Sequence, residues 1–179
     1  MTSSRPRCSV FIATSLDGCI ARADGRIDWL SIAQAGDEDY GFQAFFGAVD
    51  TLVMGRKTYE TVLGFDPWPF AGKRCVILTH RALTPRHGET AFAGPPADLV
   101  AHLTRAGARH VYVDGGEVIT HFLSAGLIDD LTLSVMPILL GGGRPLFGGS
   151  GPETRLTLAA CRSWPNGVVQ LQYQLTPPA

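Results

Sequence analysis

Short, nearly continuous apolar runs rich in β-branched residues recur along this chain: Cys8–Thr14, Thr51–Met54, Arg74–Thr79, His110–Asp114 and Leu131–Pro137. A strand with one wet face alternates polar and apolar residues, whereas a strand covered on both faces does not. These runs therefore predict a mostly parallel sheet held between two layers of helix. Leu156–Ala160 and Val168–Leu175 alternate more clearly, with Val169, Leu171, Tyr173 and Leu175 set against Gln170, Gln172 and Gln174. They predict antiparallel strands with one polar face. Helical spacing falls between the runs. Asp37–Ala48 carries Tyr40, Phe42, Phe45 and Phe46, with acids at its start that suit the helix dipole. Lys57–Leu63 is a short helix, Pro96–Ala106 stops at Gly107, and Glu117–Ala125 stops at Gly126. The predicted order is β-loop-α-β-α-β-β-α-β-α-β-β-β, an α/β fold in one domain spanning residues 1–179.

Composition narrows the function. With 179 residues, 45% of them apolar, the chain can bury the core of one ordinary domain. Lys plus Arg number 15 and Asp plus Glu 16, for a net charge of −1. A nucleic-acid binder working through bulk electrostatics would show a basic excess, so no such partner is expected. No apolar run reaches the roughly 18 residues of a membrane span. Two Arg precede Val10–Ala13, but that stretch is too short for a signal peptide and Asp17 ends it. The expected location is cytoplasmic. Cys8, Cys19, Cys75 and Cys161 show neither a C-x-x-C pair nor zinc-ligand spacing, and are expected to be reduced, buried and free of metal.

In open α/β sheets, ligands sit at the carboxyl ends of strands, beside helix N-termini. Two junctions have that form. In Leu52–Glu60 a strand runs into Gly55, and Arg56, Lys57 and Thr58 open a helix. The segment reads either as a phosphate cradle or as a solvated first turn. In His110–Val118 the pair Gly115–Gly116 separates strand from helix, so a diphosphate could approach bare backbone; a plain tight turn is the alternative. Neither a G-x-x-x-x-G-K-[ST] loop nor a G-x-G-x-x-G after the first strand is present. The run Gly141–Gly149 reads as a glycine-rich turn in preference to a phosphate loop with Arg144 as its cation. The five histidines are scattered and no G-x-S-x-G elbow occurs. Among the acids, location favours Asp17 after the first strand, Asp39 at the start of the aromatic helix, and Asp114 before the glycine pair.

Five segments occur in a telling order: Thr14–Gly18, Gly25–Leu30, Val53–Glu60, Val113–Gly116, and Pro137–Gly141 with Pro145–Phe147. Together they resemble the dihydrofolate-reductase-like superfamily. Within it, the chain is most similar to stand-alone relatives of the C-terminal reductase domain of the bacterial riboflavin-biosynthesis deaminase/reductase, over about residues 8–175. The resemblance implies an eight-stranded, mostly parallel sheet with flanking helices and NADPH lying across the strand ends. It assigns Gly55, Arg56, Lys57 and Thr58 to the cofactor phosphates, with Arg56 near the adenosine 2′-phosphate. Thr79, His80 and Arg81 match the adenosine loop, and Gly115, Gly116, Glu117 and Val118 the diphosphate loop. Ala13, Leu16 and Trp29 match positions flanking the nicotinamide. A cis peptide is implied at Asp114–Gly115 or Gly115–Gly116. Asp39 aligns with the acid that assists protonation in dihydrofolate reductases, and Asp114 with an acid that contacts substrate in riboflavin-type reductases.

The implied activity is NADPH-dependent reduction of 5-amino-6-(5-phosphoribosylamino)uracil. The alternatives are dihydrofolate reduction, or nucleotide binding without catalysis on the same fold. The substrate is expected to be a small pyrimidine- or pterin-like molecule. A homodimer is expected through Leu131–Pro137 and the glycine-rich loop after it, because Val135–Leu140 is too apolar for an exposed loop.

Overall fold

The computed structural model describes residues 5–34, 37–148 and 153–175. Ten strands, four α-helices and one 3₁₀ helix follow one another among them. The strands are β1 (Arg7–Ser15), β2 (Cys19–Ala21), β3 (Thr51–Gly55), β4 (Arg74–Leu78), β5 (Thr90–Phe92), β6 (His110–Asp114), β7 (Asp130–Met136), β8 (Arg144–Pro145), β9 (Leu156–Ser163) and β10 (Val169–Leu175). The helices are α1 (Phe42–Ala48), α2 (Arg56–Val62), α3 (Pro96–Arg105) and α4 (Gly116–Ser124), with the 3₁₀ helix at Asp28–Gln34.

Eight strands form one sheet in the order β5-β4-β3-β6-β1-β7-β10-β9. Every pair from β5 to β7 is parallel, and β10 runs antiparallel to both β7 and β9. The expected α/β architecture with an antiparallel C-terminal end is therefore the observed one. Period-two alternation divides the apolar strand residues between two cores. Val10, Val53, Val76, Val111 and Val113 pack under α3 and α4 with Leu99, Leu103, Ile119 and Phe122. Leu52, Met54, Cys75, Ile77 and Tyr112 pack on the other face under α1 and α2 with Tyr59, Val62 and Phe42. Both faces are covered, which is why these runs read as continuously apolar.

The structure departs from the sequence reading in a few places. The first helix begins at Phe42, not Asp37, because Tyr40 (φ 54°) and Gly41 (φ 81°) are both left-handed, a conformation no α-helix continues through. Tyr40 is held there by contacts from the C-terminal strands. Its hydroxyl accepts from Asn166 Nδ2 at 2.6 Å, its carbonyl accepts from Gln170 Nε2 at 3.0 Å, and its ring meets Trp164 edge to face. The two-stranded β2–β8 ribbon and the 3₁₀ helix had no sequence signal, being too short to show a period. Cys8, Cys19 and Cys75 are buried and free as expected, but Cys161 is exposed on β9, an edge strand that no helix covers. Burial pushes the Cys8 and Cys75 thiols up to about 12. No helix among the described residues is long and apolar enough to cross a membrane. The last residue of the Gly141–Gly149 run lies outside the described residues.

Candidate active site

The sheet changes its winding direction between β3 and β6. From β3 the chain leaves through α2 toward β4, and from β6 it leaves through α4 toward β7, on the opposite face. The two turns meet back to back at the carboxyl ends of these neighbouring strands. A Cβ at Gly115 would run into Thr58 Oγ1, and a Cβ at Gly55 would lie 3.3 Å from Val118 Cγ2. Gly115 makes its turn at φ 92°, a conformation that L side chains rarely adopt. The peptide bonds around it are trans, so the cis bond implied at Asp114–Gly115 or Gly115–Gly116 is absent; the positive φ of glycine turns the chain instead. Neither α2 nor α4 has a side-chain cap. The N–H groups of their first turns are left for whatever enters the crevice.

That crevice is a cleft of about 1280 Å³ running over the ends of β1, β3, β4 and β6. Arg56 crosses it at one end. Its Nε donates to Thr79 Oγ1 at 3.1 Å, and its Nη2 donates to the carbonyls of Arg81 and Ala82. Thr79 Oγ1 also accepts the Arg81 N–H, so one hydroxyl fixes both the loop after β4 and the guanidinium beside it. Near the middle, Asp114 Oδ1 accepts the Gly115 N–H at 2.8 Å. Burial, opposed by that hydrogen bond, raises the Asp114 carboxyl to about 6. Tyr112, two residues earlier, faces α1 and α2 and donates its hydroxyl to the Phe11 carbonyl at 2.8 Å.

Most of the sequence-predicted residues line this cleft: Ala13, Gly55, Arg56, Lys57, Thr58, Thr79, His80, Arg81, Asp114, Gly115, Gly116, Glu117 and Val118. Three do not. Leu16 is 65% exposed outside it, and its N–H donates to the Ile138 carbonyl. Trp29 is buried in a small cluster with Tyr40, Met136 and Val168, so it supports the loop behind the cleft. Asp39 caps α1, accepting the N–H groups of Gly41 at 3.0 Å and Gln43 at 2.9 Å, bonds that lower its pKa. With its charge spent on the helix start and its position outside the cleft, Asp39 is not placed to protonate a ligand. Asp17 is also outside. It accepts from Ser15 Oγ, Leu140 N and Gly141 N, and so ties two loops together.

The sequence reading missed Phe11, Phe42, Phe65 and Phe70 as cleft residues, since aromatics at such positions read as core. It also set Arg144 aside in favour of a plain turn, yet Arg144 lines the cleft with its guanidinium against Gly25. Among the described residues no group of three or more His, Cys, Asp or Glu side chains could hold a metal ion.

A largely parallel eight-stranded sheet with an antiparallel end and a cleft across its switch point defines a dihydrofolate-reductase-like protein. The chain belongs to the RibD C-terminal domain family, which it matches over residues 6–170. It is 35% identical over 167 residues to the uncharacterized protein YwjB of Bacillus subtilis (strain 168), covering 92% of this chain and 95% of that protein. A putative riboflavin biosynthesis protein from Shewanella sp. PV-4 superposes with a TM-score of 0.88 at 37% identity, over 95% of this chain and 99% of that one. Acinetobacter baumannii RibD shares the fold, with a TM-score of 0.75 at 22% identity over 96% of this chain and 58% of its own.

Two outcomes test this geometry. Gly115→Ala should destabilise the protein by about 3 kcal/mol in urea unfolding, from the forced positive φ and the collision with Thr58. Adding Thr58→Ala should restore about 1 kcal/mol by removing the collision alone. The second outcome concerns Asp114, whose folded pKa of about 6 lies above its ordinary value of 3.8. The folded state therefore holds an extra proton between those values, and stability falls as pH rises through that window. Asp114→Asn lacks this slope. Relative to wild type its stability should gain on the order of 2 kcal/mol between pH 4 and pH 8, and parallel curves would contradict the burial of the carboxyl.

Proposed function

We propose that this protein is an NADPH-dependent reductase acting on a small pyrimidine- or pterin-like ring. The observation that carries the reading is the meeting of two uncapped helix starts at the switch point, beside a cluster of cations. The donor set offers the fit test: the uncapped starts of α2 and α4 line the cleft together with Arg56 and Lys57, which suits a diphosphate. In this reading the α4 start, Gly115 to Val118, and the α2 start, Gly55 to Thr58, hold the diphosphate through backbone N–H groups and the Lys57 charge. Thr79, His80 and Arg81 flank the adenosine, and Arg56, already fixed on Thr79, takes the 2′-phosphate. Ala13, at the end of β1, borders the nicotinamide.

When bound, NADPH supplies a hydride to an electron-poor carbon of the substrate. The chain's own part is positioning and proton supply. Asp114 Oδ1 is held by the Gly115 N–H, which leaves Oδ2 to carry a proton toward the cleft. With a pKa of about 6 the carboxyl is poised near neutral pH, where an acid can both hold and release that proton. Membership of the RibD C-terminal domain family and the naming of the Shewanella protein support the reductase reading. The proton relay expected through Asp39 finds no support in its position.

We also propose a homodimer, with its interface moved from the segment the sequence indicated. Strand β7 has both edges paired, to β1 and β10, so it offers no edge to a second copy. The sheet ends in β5 and β9, and the edge with exposed apolar side chains is β9, where Leu156 and Leu158 are 41% and 52% exposed, with Leu139 beyond β7 67% exposed. A second copy would cover these side chains and the open strand edge.

Arg56→Ala should weaken NADPH about tenfold to a hundredfold in a fluorescence titration, and NADH much less. Both cofactors feel the loosened loop after β4, so only the 2′-phosphate separates them. Equal losses would refute the assignment of Arg56, and failure of the wild type to bind NADPH would refute the reductase reading. Light scattering at micromolar concentration should report a dimer that Leu158→Lys converts to monomer; a wild-type monomer would rule the interface out.

A further inference from the structure

Charge is distributed unevenly along the cleft. Its basic side chains, Lys and Arg with two imidazoles among them, fall into two groups. Arg56, Lys57, His80 and Arg81 stand at the α2 start and the loop after β4. His121 and Arg144 lie on the α4 side, where Ile20 of β2 and Leu146, just after β8, pack into the core under α3 and α4. The remaining part lies on the opposite face, between β1, α1 and the segment that follows α2. It is lined by Phe11, Phe42, Val62, Phe65, Pro69 and Phe70. The rings of Phe11 and Phe42 meet edge to face at 5.5 Å, and Phe65 stands 45% exposed at the mouth.

The polar groups at this end are already spent. Thr61 Oγ1 donates to the Lys57 carbonyl, and Tyr112 donates its hydroxyl to the Phe11 carbonyl. Lys57 sits in the first turn of α2, whereas Val62 ends that helix and Phe65 and Phe70 follow it. Glu60 on α2 faces Arg56 at 3.6 Å, and Lys73, three residues after Phe70, lies outside the slot, with its ammonium over the Phe46 ring and donating to the Val49 carbonyl. The residues outside the described ones include no Lys, Arg or His side chain.

Resting on the reading of the cleft as an NADPH-dependent reductase site, we propose that its substrate is an uncharged planar heterocycle without a phosphate or carboxylate tail. Flat rings gain from offset and edge-on contact with the phenylalanines. An anionic group in the same slot would lose its water against apolar walls and meet no cation. This separates the chain from the phosphoribosyl substrate that its resemblance implied: the ring would be of that kind, its tail would not.

The test uses the full chain, first titrated with NADPH by fluorescence. Calorimetry on the protein saturated with NADP⁺ then compares two matched pairs: a ribitylaminouracil with and without its terminal phosphate, and a pterin with and without a carboxylate. The uncharged member of at least one pair should bind about tenfold or more tightly than its charged partner. Phe65→Arg, at an exposed position, should bring the charged member to within about threefold of the neutral one by supplying the missing cation. Absence of NADPH binding would overturn the reductase reading on which the inference rests. NADPH binding with equal or tighter binding of the charged members, or with no binding of either neutral ring, would overturn the inference itself. A Phe65→Arg variant that folds, binds NADPH and keeps the wild-type preference would do the same, because the missing cation would not be the cause.

Discussion

The fold and the site both depend on the contact between Gly115 and Thr58. Strands β3 and β6 are neighbours, yet their following helices cross to opposite faces of the sheet. Two chains that diverge from adjacent strand ends leave a wedge of space between them, and the sheet has no other element to fill it. The wedge can stay narrow only if the turns pass within van der Waals distance. Gly115 meets that condition by having no side chain where Thr58 Oγ1 stands, and Gly116 does the same against Ile20 and the Pro145 carbonyl. The apolar layers on the two faces of the sheet are therefore joined at one place by bare backbone. That is also the place where helix N–H groups face open space.

From this junction the chemistry divides along the cleft. Toward the loop after β4, Thr79 Oγ1 accepts from both Arg56 Nε and the Arg81 N–H, so a cation and a loop are fixed by one small side chain. Toward α1, the side chains are aromatic, and the hydroxyl of Tyr112 is bound to the backbone of β1. Asp114 lies between the two regions. Burial resists its ionisation while the Gly115 N–H favours it, and burial is the larger effect. A carboxyl in open solvent could not hold a proton near neutral pH, and one with several N–H donors would be fully ionised. Asp39 shows the opposite balance: two backbone donors hold that exposed acid below its ordinary value.

Much of this was legible in the sequence because burial on two faces leaves a direct trace. The continuous apolar runs marked the central strands to within a residue or two, and the glycines of Gly55–Thr58 and Asp114–Val118 marked the strand-to-helix turns. What could not be read was anything decided by long-range packing. Tyr40 is forced left-handed by Asn166, Gln170 and Trp164, more than 120 residues away, and so the expected helix loses its acidic first turn and Asp39 becomes a cap. Trp29 is drawn into a side cluster by the same C-terminal strands. Phe11, Phe42 and Phe70 have the spacing of core residues and partly are core, since each belongs to the aromatic layer as well as to the cleft wall. A residue that does both jobs has no separate sequence signature.

The mouth of the cleft is shaped by contacts between segments that the sequence reading treated as plain loops. Asp17 collects Ser15 Oγ and the N–H groups of Leu140 and Gly141, and Leu146 N–H donates to the Gly18 carbonyl. The β2–β8 ribbon continues the tie, and a Cβ at Gly143 would strike the Ala21 carbonyl, so only glycine lets the strands close. These donors hold the Asp17 carboxyl down to about 2. With its folded pKa below the unfolded value, the tie is at full strength above about pH 4 and fades only as pH falls toward 2. Asp114 titrates well above that window, so its proton comes and goes while the mouth stays latched. The electrostatics of the cleft can therefore respond to pH without the architecture doing so, because the proton on Asp114 changes while the donors on Asp17 keep the loops tied.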